Sequence, residues 1–289
     1  MEGAERSTDA AESRPLDAAA AAWDPTAYRR FGNERGRPFT ELVSRIGAEA
    51  PAVVVDLGCG EGSGTASLAR RWPGARVIGV DSSPEMLSAA GPGRVEFVIG
   101  DVRDWTPDEP VDVVVTNAVL HWIPDHDRLI AEWAARLRPG GWLALQVPGN
   151  FRAPTRALLA GLCRAPAWAD RLADVAPRAD AVLEPAGYLD VLTGAGLAAD
   201  VWETTYLHVL TGADPVLGWV RSTVLRPVLA RLGDDAAAAF TDEYAAALRS
   251  VYPVRPDGTT LLPFRRIFAV GNRQGTGEQL SAASAGTPG

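Results

Sequence analysis

The sequence predicts an α/β fold, a doubly wound and mostly parallel sheet. Two observations predict it: from Ala52 onward short β-branched runs alternate with amphipathic stretches, and a glycine-rich loop joins the first run to the helix after it. Parallel strands need crossover helices, and this rhythm supplies one after each strand.

The first strand is AVVVDL, ending at Leu57, and the helix TASLARRW follows the loop. ARVIGVD, SPEMLSAA and RVEFVIGD then read as strand, helix and strand. The fourth strand is VDVVVTN, Val111 to Asn117. A helix across DRLIAEWAARLRPGG is expected to stop at Pro139-Gly140-Gly141 and release a fifth strand, WLALQV. Past Pro148 the texture becomes helical, at Thr155 to Arg164 and at Pro185 to Gly194. A strand over Val201 to Leu210, a helical block from Pro215 to Val251 and a last strand, TLLPFRRIFAVGN, complete the order. Residues 1–22, rich in Ala, Glu, Asp and Ser, and residues 273–289, rich in Gly, Ser and Thr, are expected to be disordered tails.

Composition narrows the chemistry. The formal net charge of -8 disfavours a nucleic-acid or anionic-membrane binder, which needs a basic face. All 28 basic residues are arginine, so a Schiff-base lysine and a Gly-Lys-Ser/Thr phosphate loop are both excluded. Any anion gripped by a charged side chain meets a guanidinium fork. Cys59 and Cys163 are far apart, without a CxxC partner, and indicate neither a disulfide framework nor a zinc site. Acidic residues near the N-terminus, where a signal peptide would be basic, and the lack of a long apolar run point to a soluble cytoplasmic protein.

The loop reads Gly58-Cys59-Gly60-Glu61-Gly62-Ser63-Gly64. A dinucleotide fingerprint wants glycine where Ser63 stands, and Asp56 would repel a pyrophosphate. Asp56 suits a cationic amine instead, Asp81 at the second strand end suits a ribose diol, and Asp101 at the third could meet an adenine amino group. A nucleoside with a cationic, phosphate-free tail satisfies all three. Cys59 has no nearby histidine and reads as a small loop residue rather than a nucleophile.

VVVDLGCGEGSGT, VIGVDSSPEM, VIGDVRDW, VTNAVLHW and LRPGGWLALQ, in this order, resemble the motifs of class I S-adenosylmethionine-dependent methyltransferases. WDPTAYRRFGNERGRP, NAVLHWIPDH, QVPGN, WETTYLH and LLPFRRIF extend the likeness, from Trp23 to Val270, to the trans-aconitate methyltransferase family. The resemblance implies seven strands in the order 3-2-1-4-5-7-6 with the last reversed. It also implies one domain over 23–272, with an N-terminal lid at 23–50 and a helical cap at about 212–255. The cofactor it implies is S-adenosylmethionine. The reaction is O-methylation of one carboxylate of trans-aconitate, leaving the monomethyl ester and S-adenosylhomocysteine. No metal and no protein or nucleic-acid partner is implied.

By the same resemblance, Gly58, Cys59 and Gly60 lie beside the methionine moiety with Asp56 near its amino group. Asp81 binds the ribose, Asp101 and the Val102 N–H address the adenine, and Ser82 and Met86 line the pocket. Asn117 turns its carbonyl to the cofactor amine and its side chain to the acceptor. Tyr28 in the lid covers the methionine end, and Arg35 on the same segment is a further cofactor-binding residue; a plain docking helix would use the same aromatics. A carboxylic acid with a pKa near ~4 is already ionised at neutral pH, so no general base is required.

Candidates to hold the trianion are Arg35, Arg37, Arg221, Arg226, Arg265 and Arg266. Strand neighbours face opposite sides, so only one of Arg265 and Arg266 enters a pocket, and Arg266 is preferred. His121 is placed to bond a substrate carboxylate. Trp122 is either a wall of the site or core. Tyr206 and His208 share a strand face as substrate contacts or as packing, and His126 reads as a surface residue at a helix start. Rival readings are another small-molecule or thioester-linked O-methyltransferase, a catalytically silent cofactor-binding regulator, and a nicotinamide oxidoreductase.

Overall fold

The computed structural model describes residues 32–275 except Pro92 and Ser222. The expected N-terminal tail lies outside these residues, as does almost all of the C-terminal one.

Seven strands form one sheet: β1 (Val53–Leu57), β2 (Arg76–Asp81), β3 (Val95–Ile99), β4 (Val111–Asn117), β5 (Leu137–Pro148), β6 (Ala198–Leu210) and β7 (Thr260–Asn272). Their order is β3-β2-β1-β4-β5-β7-β6. All neighbours are parallel except β7, which runs against both β5 and β6. The order reverses between β1 and β4, so their C-terminal ends open the crevice in which such sheets bind ligands.

Helices cover both faces, as a strand buried along its whole length such as β1 requires. The helices are α1 (Gly32–Ser44), α2 (Ser63–Arg71), α3 (Pro84–Ser88), α4 (His126–Ala135), α5 (Pro154–Cys163), α6 (Ala169–Leu172), α7 (Pro185–Gly194), α8 (Pro215–Arg221), α9 (Arg226–Leu229) and α10 (Asp234–Val251). On one face Val53, Val55 and Leu57 meet Leu129, Ile130 and Trp133 of α4 and Tyr188 and Leu192 of α7. On the other, Val54, Val113 and Phe268 meet Leu42 of α1, Ile46 just after it and Leu68 of α2. Each such large side chain contributes about 1.5–3 kcal/mol by leaving water.

A second apolar core gathers Leu159 and Cys163 of α5, Leu172 of α6, Trp219 of α8, Val228 of α9 and Phe240, Tyr244 and Leu248 of α10. Leu210 and Leu262, at the ends of β6 and β7 that pair with each other, complete it. The helical block after Pro215 thus shares its core with helices that precede β6.

One boundary differs from expectation. Helix α4 ends at Ala135, and Leu137 already pairs with Val111. The register slips between Val111 and Val113, so Arg138 to Gly141 form a bulge, with Gly140 at φ 82°. Proline and a left-handed glycine serve a bulge as readily as a helix stop, and strand pairing decides between them.

Candidate active site

The loop after β1 is shaped by backbone constraints. Gly58, Gly60 and Gly62 adopt φ of 77°, 57° and 76°, in the left-handed region that a side chain penalises. A Cβ at Gly58 would fall 2.1 Å from Val119 Cγ2. Gly62 caps α2, and the N–H groups of Gly58 and Cys59 both donate to the Val80 carbonyl. The Cys59 thiol, pushed up by burial and then by Asp56 and Asp81, stays protonated and is no nucleophile.

Asp56 shares the β1 face of Val54, turned toward α2. It is buried and accepts a hydrogen bond of 2.7 Å from Thr65 Oγ1. Burial pushes its carboxyl up to about 7; the Thr65 bond opposes the shift and Asp81 adds to it. Among the described residues no arginine pairs with it. The Asp81 carboxylate accepts the Gly60 N–H at 2.8 Å on one oxygen and the Ser83 N–H at 2.9 Å on the other, tying the loop to the turn before α3. Each oxygen keeps a second lone pair for a hydroxyl. Met86 lines this turn, 3.1 Å from the position of a Cβ on Gly60, while Ser82 is exposed.

Asp101 accepts the Arg103 N–H at 2.8 Å, and its side chain pairs with the Arg103 guanidinium, whose hydrogen bonds hold the carboxyl below its usual range. Val102 beside it is buried. Among the described residues these features suit a nucleoside with a cationic tail: a glycine cradle at which no arginine is ion-paired, a buried acid without a cationic partner, and a half-buried acid at the next strand end. Tyr28 lies outside the described residues, and Arg35 is described in its backbone only.

From Asn117 onward, β4, β5 and the segments that follow them carry buried polar atoms without partners among the described residues: Asn117 Oδ1, His121 Nδ1, Gln146 Nε2 and Asn150 Oδ1. Asn117 and Gln146 are register partners across β4 and β5, and the Ala118 N–H donates to the Gln146 carbonyl. Arg266 on β7 is buried and donates to Gln146 Oε1 at 3.3 Å. Arg265 turns the other way, to Glu184 at 2.7 Å and to Glu203. A buried polar atom left without a hydrogen bond costs about 1–3 kcal/mol, so four of them on β4, β5 and the segments that follow these strands are candidate partners for a polar ligand.

His121 sits here, with its ring centroid 6.0 Å from Phe151 and 4.6 Å from Trp122. Burial drives its pKa well down, and Arg156, Arg266 and His126 add to the effect, so the ring is neutral and offers a carboxylate one N–H rather than a charge. Trp122 is 52% exposed, which excludes the core reading.

Gln146, Asn150 and Arg156 had escaped the reading of the sequence. Arg156, on the first turn of α5, stands over the Phe151 ring at 4.0 Å, and burial pushes its guanidinium down to about 10.

Other expected residues have different surroundings. Tyr206 donates to Glu41 Oε2 at 2.5 Å, with Arg37 stacked on its ring at 4.9 Å, so both belong to the docking of α1 on β6. His208 stacks on Trp219 at 4.4 Å, beside the second core. Arg221 is exposed on the last turn of α8. His126 corrects an expectation: it is buried, with Nδ1 donating to the Ile123 carbonyl at 3.0 Å and Nε2 accepting from Tyr188 O–H at 2.9 Å. The carbonyl can only accept, which settles the tautomer. Its partner lies 62 positions away, beyond any local pattern.

Among the described residues no helix is long and apolar enough to cross a membrane, and no three His, Cys, Asp or Glu side chains gather as a metal site. Residues 55–145 match a methyltransferase domain family. The fold aligns with the YcgJ protein of Bacillus subtilis at TM-score 0.53 and 16% identity, covering 83% of this chain and 99% of that one. A trans-aconitate 2-methyltransferase of Streptomyces avermitilis is 49% identical over 269 residues, 90% of this chain and all of the relative. One of Streptomyces coelicolor is 51% identical over 275 residues, 91% of this chain and 90% of the relative. At that identity over nearly its whole length, the chain belongs to the trans-aconitate 2-methyltransferase family.

Proposed function

We propose that the protein binds S-adenosylmethionine and methylates a carboxylate oxygen of trans-aconitate. The observation that carries this reading is the reach of the identity. It spans 90% of the chain, far beyond residues 55–145 of the methyltransferase domain, and so includes the acceptor side of the crevice.

The chemistry supplied by bound S-adenosylmethionine is an electrophilic methyl group on a sulfonium. Gly58 and Gly60 let the backbone approach the methionine portion, with Cys59 filling the turn between them and Met86 beside it. Asp56 meets the cationic amino group, which lowers the cost of ionising a buried carboxylate. Asp81 takes the ribose hydroxyls with its free lone pairs, and Asp101 with the Val102 N–H takes the adenine. Asn117 stands between the two halves.

On the acceptor side Arg266 and neutral His121 orient the polyanion, and Trp122 walls the opening. A carboxylate is ionised at neutral pH, so no side chain need remove a proton. What the pocket contributes is alignment, worth up to about 7–11 kcal/mol for a well-held pair, and removal of water from the nucleophile. The second core, shared by α5, α6 and the block after Pro215, would cap the crevice.

Incubation with labelled S-adenosylmethionine and trans-aconitate, cis-aconitate or citrate, followed by mass analysis of any ester, tests the reading. We expect a monomethyl ester from trans-aconitate; absence of that product overturns the substrate.

A further inference from the structure

Among the described residues Arg156 is a charge without a counter-charge. Several arginines of this acidic chain are ion-paired: Arg265 with Glu184, Arg249 with Asp214 and Arg231 with Asp174. Among the described residues no carboxylate pairs with Arg156, although its guanidinium is deeply enough placed that burial depresses its pKa. Holding such a half-buried cation away from water without a counter-charge is unfavourable. The surrounding structure nonetheless holds it in place. Phe151 supports the guanidinium at 4.0 Å, and Tyr244 O–H donates to the Thr155 carbonyl at 2.7 Å, fixing the first turn of α5. The His121 ring centroid lies 6.0 Å from that of the same Phe151, and the ring feels both Arg156 and Arg266. The unpartnered atoms Asn117 Oδ1, His121 Nδ1 and Asn150 Oδ1 belong to the same stretch of the chain's interior.

We propose that Arg156 is a substrate-binding residue that takes one of the acceptor's non-reacting carboxylates, so that its counter-ion arrives with the substrate. This rests on the reading of the acceptor as a polycarboxylate. The reacting carboxylate must keep a lone pair exposed to the methyl group, and a guanidinium fork clamped on it would blunt that nucleophile. The fork therefore belongs on a spectator carboxylate, where a bidentate grip also sets which oxygen faces the cofactor. Arg156 is then a specificity-determining residue: it rewards acids that carry an additional carboxylate at the right reach and leaves monoacids unheld.

The test compares wild type with Arg156→Met and Arg156→Lys. For Arg156→Met we expect KM for trans-aconitate to rise about 100-fold, the loss typical of truncating one partner of a buried charge pair, with S-adenosylhomocysteine affinity changed by less than about two-fold. Arg156→Lys keeps the charge without the fork and recovers part of the loss. A diacid analogue lacking one spectator carboxylate should be nearly indifferent to the substitution. Melting of the ligand-free protein should be unchanged or higher in Arg156→Met, since a half-buried cation with no described counter-charge is removed, whereas a merely structural arginine would lower it. Protection of wild type by trans-aconitate against heat should vanish in the variant. An unchanged KM, equal losses for triacid and diacid, or melting and cofactor affinity falling together would overturn the assignment. Should wild type form no ester from trans-aconitate yet be stabilised by it through Arg156, the proposed reaction fails and this assignment stands; without that stabilisation the assignment fails as well.

Discussion

Asp56 and Thr65 are joined by a hydrogen bond of 2.7 Å in which both side chains are buried, linking the end of β1 to the first turn of α2. The bond stabilises the carboxylate, but burial outweighs it and raises the pKa from 3.8 to about 7. A carboxyl raised on folding stabilises the native state in its protonated form. That contribution is whole below pH 3.8, declines as pH rises and is gone above about 7. Asp56→Asn is neutral throughout and keeps an acceptor for Thr65. Its stability relative to wild type should therefore climb across this window by at most about 1.4 kcal/mol per pH unit, then level off. Urea denaturation of the ligand-free protein at pH 5 and pH 8 measures it, and parallel behaviour of the two proteins would refute it.

Cofactor binding should show the mirror image. A cationic amine favours the ionised carboxylate, so affinity for S-adenosylhomocysteine should rise from pH 5.5 to pH 8 in wild type and be flat in Asp56→Asn. Calorimetric titration at both values decides, with a flat wild-type profile counting against the placement of Asp56.

Asp81→Ala removes the acceptor of both the Gly60 and Ser83 N–H groups. Cofactor affinity should fall by ~1–3 kcal/mol, from lost hydrogen bonds to the ligand and from a loosened loop. A binding constant within two-fold of wild type would show that Asp81 serves only the turn.

Gly58→Ala combines a left-handed backbone at φ 77° with a Cβ 2.1 Å from Val119 Cγ2. The backbone strain costs about 1–2 kcal/mol and the overpacking about 1–3 kcal/mol. Adding Val119→Ala should relieve the second part alone. Denaturation midpoints of the single and double variants separate the two, and full recovery in the double variant would remove backbone strain from the account.

Tyr188→Phe strands Nε2 of a buried His126 and should lower stability by about 1–3 kcal/mol while leaving kcat unaltered. A matching loss of kcat would bring α7 into the site.

Much of this architecture was legible because its signals are local. β-branched runs between glycine turns report strands one at a time, and Asp56, Gly58, Gly60 and Asp81 stand at strand ends where their types are informative. The acceptor side was harder. Gln146 looks like an ordinary polar residue in a strand until the register sets it against Asn117, and Arg156 is one of 28 arginines until the fold withholds an acid from it. His126 was misplaced for the same reason: its hydrogen-bond partner is supplied by a distant helix. The Pro139-Gly140-Gly141 signal was correct as a breaker and mistaken in kind, since a bulge and a helix stop draw on the same residues.

The position of β7 gives the chain a division of labour. Asp56, Gly58, Gly60, Asp81 and Asp101 all precede Asn117, whereas Gln146, Asn150, Arg156 and Arg266 all follow it. β7 returns a late part of the polypeptide to the sheet between β5 and β6, one strand in from the edge. Descendants of such a chain can diversify in what they modify through substitution or exchange of the later half alone, while inheriting the donor half intact.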